Sequence, residues 1–165
     1  MPLGLFSYGY RRLTPNWRND PLPFVLKTQL TVAESIPSMF SGFRKSSSHG
    51  DLFLDNIIYK NNKIWLLDWE FASYDYTVLD LGMTILGSCL PAEDENCVKA
   101  FLGSYLERNR LEEKEIEALP YAVEYAAALC AYERSRKSKK VIQETGKTWE
   151  ALQDVTAEQV RELIF

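Results

Sequence analysis

Cysteine is scarce: Cys89, Cys97 and Cys130 are the only three among 165 residues. They are odd in number and none lies in a C-x-x-C pair, so neither a disulfide framework nor a zinc site is indicated, and a reducing compartment is the simpler reading. Histidine is scarcer still. His49 stands alone, and one imidazole without cysteine or carboxylate partners at ligand spacing builds no zinc centre. No apolar run approaches the roughly 20 residues that cross a bilayer, and the N-terminus lacks the charged start and apolar stretch of a signal peptide. The expectation is a cytoplasmic protein with no membrane partner. A basic excess is also missing. The net charge of -4 and pI near 5.1 argue against a nucleic-acid partner, because affinity for phosphate backbones needs a basic face. The one basic cluster, Arg134, Arg136, Lys137, Lys139 and Lys140, follows an apolar helical pattern and reads as a solvated helix end. Ser47 and Ser48 lie in no G-x-S-x-G elbow, which makes hydrolase chemistry a poor second.

What is present is a chain with 46% apolar and 25% charged residues, enough to bury one core as a soluble globular domain. Residues 1–24 are rich in Gly, Pro, Asn and aromatics and form an irregular arm, with Pro2, Pro15, Pro21 and Pro23 breaking any long helix. Thr31-Val32-Ala33-Glu34 has the form of a capping box for a helix that Pro37 keeps short. Ile57-Ile58-Tyr59 and Ile64-Trp65-Leu66-Leu67 are β-branched and apolar around a polar Lys60-Asn61-Asn62-Lys63 turn, which predicts a hairpin. From Leu79 the pattern turns helical. Leu81, Ile85 and Leu86 share a face up to Pro91, Val98 to Leu106 makes a second helix and Leu111 to Leu119 a third. Pro120 suits the first turn of a fourth, which carries Val123, Ala126, Ala127, Leu129 and Cys130. Thr156 to Gln159 has the form of a capping box opening a last helix to Phe165.

The chemistry concentrates in His49-Gly50-Asp51-Leu52-Phe53-Leu54-Asp55-Asn56 and, after the hairpin, in Asp68-Trp69-Glu70. Phosphoryl transfer from a nucleotide needs a base beside the attacking hydroxyl and hard oxygen ligands for the metal on the phosphates. Asp51 can be the base, and Asn56 and Asp68 can be the ligands. Taken alone, Asp51 could equally be a turn residue bonding its own backbone; Asn56 and Asp68 shift the balance. They sit at the start of the first strand and the end of the second, so antiparallel pairing sets them side by side on a rigid support. His49 reads as a residue that orders the loop by hydrogen bonds.

These residues carry a resemblance. His49-Gly50-Asp51 with Asn56 and Asp68-Trp69-Glu70 resembles the aminoglycoside phosphotransferase and choline kinase family, a branch of the protein-kinase-like fold. The finer spelling, Asp51-Leu52-Phe53, Asp55-Asn56, then Asp68 to Phe71, Ala72, Tyr76 and Asp80-Leu81, is most similar to the homoserine kinases of that branch. The likeness covers roughly residues 10 to 136. It implies Asp51 as catalytic base, Asn56 and Asp68 on Mg2+ under the phosphates of ATP, and a supporting Asp80 that bonds back to the catalytic loop, for which a plain helix N-cap is the equal alternative. Glu70 and Asp55 become candidates for contact with substrate or with the ligand residues.

The expected architecture is α+β, mainly α: the C-terminal lobe of a kinase-like fold with one short hairpin bearing the metal site. The arm would occupy 1–24 and the lobe 25–165, with catalytic loop 49–56, hairpin 57–67 and helices 79–164. Family members carry an N-terminal lobe with a phosphate-binding lysine and a glycine-containing loop, and no strand-rich half precedes residue 49. Lys27 is too close to the loop to serve. The expected activity is therefore ATP-dependent phosphorylation of a small alcohol by a fragment, homoserine leading and choline-like alcohols, methylthioribose, hydroxylysine and aminoglycosides open. A non-catalytic binding module is the alternative. The missing lobe predicts an uncovered apolar side and hence a homodimer or another chain supplying that lobe.

Overall fold

The computed structural model describes residues 15–19, 24–90, 95–136, 161 and 164. The described chain is mixed and mainly helical. A 3-10 turn (Pro15–Asn19) precedes helices α1 (Phe24–Ala33) and α2 (Ile36–Met39), then strand β1 (Lys45–Ser48). A second 3-10 turn (Leu54–Asn56) opens β2 (Ile57–Lys60), and β3 (Lys63–Leu66) leads through a third (Trp69–Phe71) into β4 (Ser73–Tyr76). Helix α3 (Thr77–Thr84) continues into a π-helical turn (Ile85–Cys89), followed by α4 (Glu95–Leu106), α5 (Glu113–Glu117) and α6 (Leu119–Arg136).

Helices α3 and α6 make the core. From Leu119 to Tyr132, α6 is buried at every position except Tyr121 and Glu124, which are half-buried. A helix apolar nearly all round has no solvent face to present, so it runs through the middle of the fold. Its alanines let a neighbour approach. A Cβ added at Gly82 of α3 would lie 2.6 Å from the Ala122 backbone, so this crossing depends on a small residue on each side. Around it Phe40, Leu30, Met83, Ile85, Leu119, Tyr125 and Leu129 are almost fully buried, each contributing roughly 1.5–3 kcal/mol by leaving water. The buried Glu115 carboxylate ties α5 to the sheet end, accepting from the Arg44 and Glu112 amides at 2.8 Å each.

The hairpin pairs Ile57 with Leu66, Ile58 with Trp65 and Tyr59 with Ile64. Asn61 and Asn62 both have positive φ, 52° and 59°, as the tight hairpin turn matching strand twist requires, and asparagine tolerates that region. In this hairpin Tyr59 is 68%, Ile64 66% and Trp65 58% exposed.

Several sequence expectations need correction. A second antiparallel pair joins β1 to β4, from Lys45 opposite Tyr76 to Ser48 opposite Ser73, so the hairpin is not the only sheet. Thr31 opens no helix. It lies in the last turn of α1, where its hydroxyl donates back to the Lys27 carbonyl at 2.8 Å. The N-terminal arm holds the turn at Pro15–Asn19 with Trp17 buried against the core, and α3 begins at Thr77 rather than Leu79. The lysines of the basic cluster and the capping box at Thr156 lie outside the described residues.

Candidate active site

The loop between β1 and β2 is closed by four hydrogen bonds that form one circuit. The Asp51 amide donates to His49 Nδ1 at 3.3 Å, Asn56 Nδ2 to the Asp51 carbonyl at 2.8 Å, the Leu67 amide to the Asn56 carbonyl at 2.9 Å, and His49 Nε2 to the Leu67 carbonyl at 2.7 Å. Backbone groups cannot exchange donor and acceptor roles, so the circuit requires the neutral imidazole with its proton on Nε2. A protonated ring would lose the acceptor that holds Asp51. His49 is buried, and the Trp69 ring packs on it with centroids 4.6 Å apart.

A second anchor comes from α3. The Asp80 carboxylate accepts from the His49 amide at 3.0 Å and the Gly50 amide at 2.7 Å. Of the two roles open in the sequence, this geometry is the bond back to the loop. Asp80 sits inside the first turn of α3, while Tyr76 occupies the position before it. Charged acceptors make the stronger hydrogen bonds, and two on adjacent amides fix the backbone just ahead of Asp51. Gly50 has φ +81° and a Cβ there would lie 2.6 Å from the Phe71 carbonyl oxygen, so a side chain is excluded on both conformational and steric grounds.

Asn56 and Asp68 stand at the open end of the hairpin. Because Asn56 Nδ2 is committed to the loop, its Oδ1 is the atom left to hold a cation. Asp68 is exposed and left-handed, φ 57° and ψ 64°, a costly conformation that turns the chain from β3 into the Trp69–Phe71 turn and so brings Trp69 onto His49. An amide oxygen and a carboxylate suit magnesium, which takes one or two protein oxygens and fills the rest of its octahedron with phosphates and water. Among the described residues no three His, Cys, Asp or Glu side chains come together, so those residues hold no all-protein cage.

Asp51 is half-buried, whereas Asp55 and Glu70 are exposed on the turns flanking the hairpin. Neither joins the circuit. The sequence reading missed three other features. Asp75 of β4 is buried with its carboxylate on the Tyr76 amide at 2.8 Å. The Trp69 ring packs on His49 at an interplanar angle of 52°. The π-helical turn also meets the loop, where the Ser88 hydroxyl donates to the Leu52 carbonyl at 3.3 Å. Only the Gly87-Ser88 pair inside a helical run hints at the last of these. Away from the loop, burial raises the Tyr105 hydroxyl above its ordinary value, opposed by the Arg44 guanidinium 3.4 Å away.

The loop that carries Asp51 and the hairpin base that carries Asn56 and Asp68 are thus tied together by hydrogen bonds. The model of the phosphotransferase enzyme family matches residues 11–119, and the chain belongs to that family. It is 28% identical over 141 residues to a homoserine kinase of Polaromonas naphthalenivorans, covering 72% of this chain and 45% of that protein. A homoserine kinase of Nitrobacter winogradskyi is 34% identical over 83 residues, 48% of this chain and 26% of its own. An ethanolamine kinase of Drosophila melanogaster is 28% identical over 85 residues, 44% of this chain and 16% of its own. The chain thus spans less than half the length of the curated relatives it matches. No helix among the described residues is long and apolar enough to cross a membrane.

Proposed function

We propose that this chain is the catalytic and metal-holding lobe of an ATP-dependent kinase that phosphorylates the hydroxyl of a small metabolite, with homoserine the leading acceptor. The observation that carries this reading is the closed circuit His49–Asp51–Asn56–Leu67, which ties the loop to the hairpin base next to Asp68. Asp51 takes the proton of the attacking hydroxyl. Asn56 Oδ1 and the Asp68 carboxylate hold magnesium, which when bound offsets the charge of the nucleotide phosphates. Neutral His49 and the Asp80 carboxylate keep the Asp51 backbone in place. Glu70 and Asp55, exposed at the rim, are proposed to meet the acceptor or to support the ligand residues Asn56 and Asp68. Homoserine and ethanolamine, the acceptors in the relatives' names, each carry an amine as well as a hydroxyl. That supports an amino alcohol over methylthioribose; choline-like acceptors, hydroxylysine and aminoglycosides are the other candidates.

A second reading, a binding module without turnover, is favoured by the exposed apolar side chains of the hairpin, Tyr59, Ile64 and Trp65. In the kinase reading that surface is covered by a nucleotide-binding lobe, supplied by further chain or by another copy. The deciding experiment is ADP release from Mg-ATP against homoserine, ethanolamine, choline and an aminoglycoside, with wild type and Asp51→Asn. Turnover with one acceptor that Asp51→Asn reduces at least ~100-fold supports the kinase. Absence of turnover with every acceptor supports a lobe that needs its nucleotide-binding partner, or the binding module.

A further inference from the structure

We propose that the π-helical turn Ile85–Cys89 is a second clamp on the catalytic loop, with Gly87 and Ser88 as positioning residues for Asp51; this rests on Asp51 being the base. Asp80 holds the residues immediately before Asp51, His49 and Gly50. Immediately after Asp51, the Ser88 hydroxyl donates to the Leu52 carbonyl at 3.3 Å, and the Phe53 ring fills the place where Gly87 has no side chain. A Cβ at Gly87 would lie 2.2 Å from that ring. Asp51 is therefore bracketed along the chain, before and after, by groups of a single continuous helical segment.

The turn is what lets one segment reach both sides. Asp80 and Ser88 are eight residues apart, and at about 3.6 residues per turn a regular α-helix would carry Ser88 roughly 80° round from Asp80. A π turn sweeps fewer degrees per residue and rotates Ser88 back toward the Asp80 face. The departure from regular helix follows Thr84, whose hydroxyl donates back to the Asp80 carbonyl at 2.9 Å, a bond that bends helices. Cys97 of α4 supports the far side, its thiol 3.8 Å from the Ser88 carbonyl. The hydroxyl bond is long for its type, so the snug seat of Phe53 on Gly87 carries the larger share.

Hydrogen–deuterium exchange over peptides spanning residues 49–56, on the full chain, tests this without requiring turnover. Ser88→Ala is expected to speed loop exchange about two- to tenfold, the size of one neutral hydrogen bond, with peptides of α6 unchanged and Ser88→Thr restoring protection. Gly87→Ala should do more and be partly rescued by Phe53→Leu, a coupling that a purely helical defect would not show. If Gly87→Ala fails to fold, the Ser88 pair decides. Unchanged loop exchange in Ser88→Ala, or faster exchange spread equally over α6, overturns the clamp. A loop that responds as expected upholds the clamp whether or not turnover is seen, whereas turnover unaffected by Asp51→Asn would remove the kinase reading and leave the clamp standing. Where turnover is measurable, Ser88→Ala should lower kcat with KM for the acceptor held within about twofold.

Discussion

Two apolar regions of this chain meet opposite fates. In the α3–α6 layer Val78, Met83, Ile85, Val123 and Leu129 are at most 1% exposed; in the hairpin Ile58, Tyr59, Ile64 and Trp65 are 45–68% exposed. The first region is held by packing. The second is tied to the loop at its base by two hydrogen bonds, His49 Nε2 to the Leu67 carbonyl and Asn56 Nδ2 to the Asp51 carbonyl, so its position relative to the loop depends on few groups. The site straddles these regimes: Asp80 and Ser88 belong to the packed layer, Asn56 and Asp68 to the exposed one.

Substitutions can break that contrast. Leu129→Ala should cost the most, about 2–5 kcal/mol by chemical denaturation, whereas Trp65→Ala should cost under about 1 kcal/mol and reduce self-association in ultracentrifugation. Equal losses at the two positions would mean the hairpin is packed in solution. Asp80→Ala leaves two loop amides without their charged acceptor and should cost about 2–4 kcal/mol, with exchange rising first at residues 49–51. His49→Ala opens the circuit at two points and is expected to cost about 1–3 kcal/mol. Its signature is faster exchange at Asp51 and Leu67 together, and independent responses at those two amides would count against a closed circuit.

The smallest effect concerns the thiols. Burial, then the neighbouring Cys97, pushes Cys89 up to about 12 from 9.0. A thiol held protonated in the fold stabilises it fully below about pH 9, and that contribution is lost as the pH rises toward 12. Iodoacetamide at pH 9 should therefore modify half-exposed Cys97 and spare Cys89. Equal labelling would place Cys89 at the surface.

The hairpin, with Asn56 and Asp68 at its open end, was legible because β-branched runs around Lys60-Asn61-Asn62-Lys63 leave one sensible pairing. The β1–β4 pair was not. Ser46-Ser47-Ser48 has no strand propensity, and its partner lies across the whole hairpin, so only tertiary context makes it a strand. Thr31 misled because the form of a capping box is local, whereas α1 has already begun at Phe24 and places Thr31 in its last turn. For Asp80 the sequence left two roles open, since a helix-start aspartate bonds its own helix or another segment equally well. The π turn has no sequence pattern beyond Gly87-Ser88.

In the proposed function Asn56 and Asp68 hold a nucleotide-bound cation beside Asp51. Titration of Mn-ATP followed by the electron paramagnetic resonance of Mn2+ tests it most directly. Binding by wild type and Asp51→Asn, weakened at least ~10-fold in Asn56→Ala and in Asp68→Ala, is the expected result; equal binding by all four proteins, or none by the wild type, would contradict it.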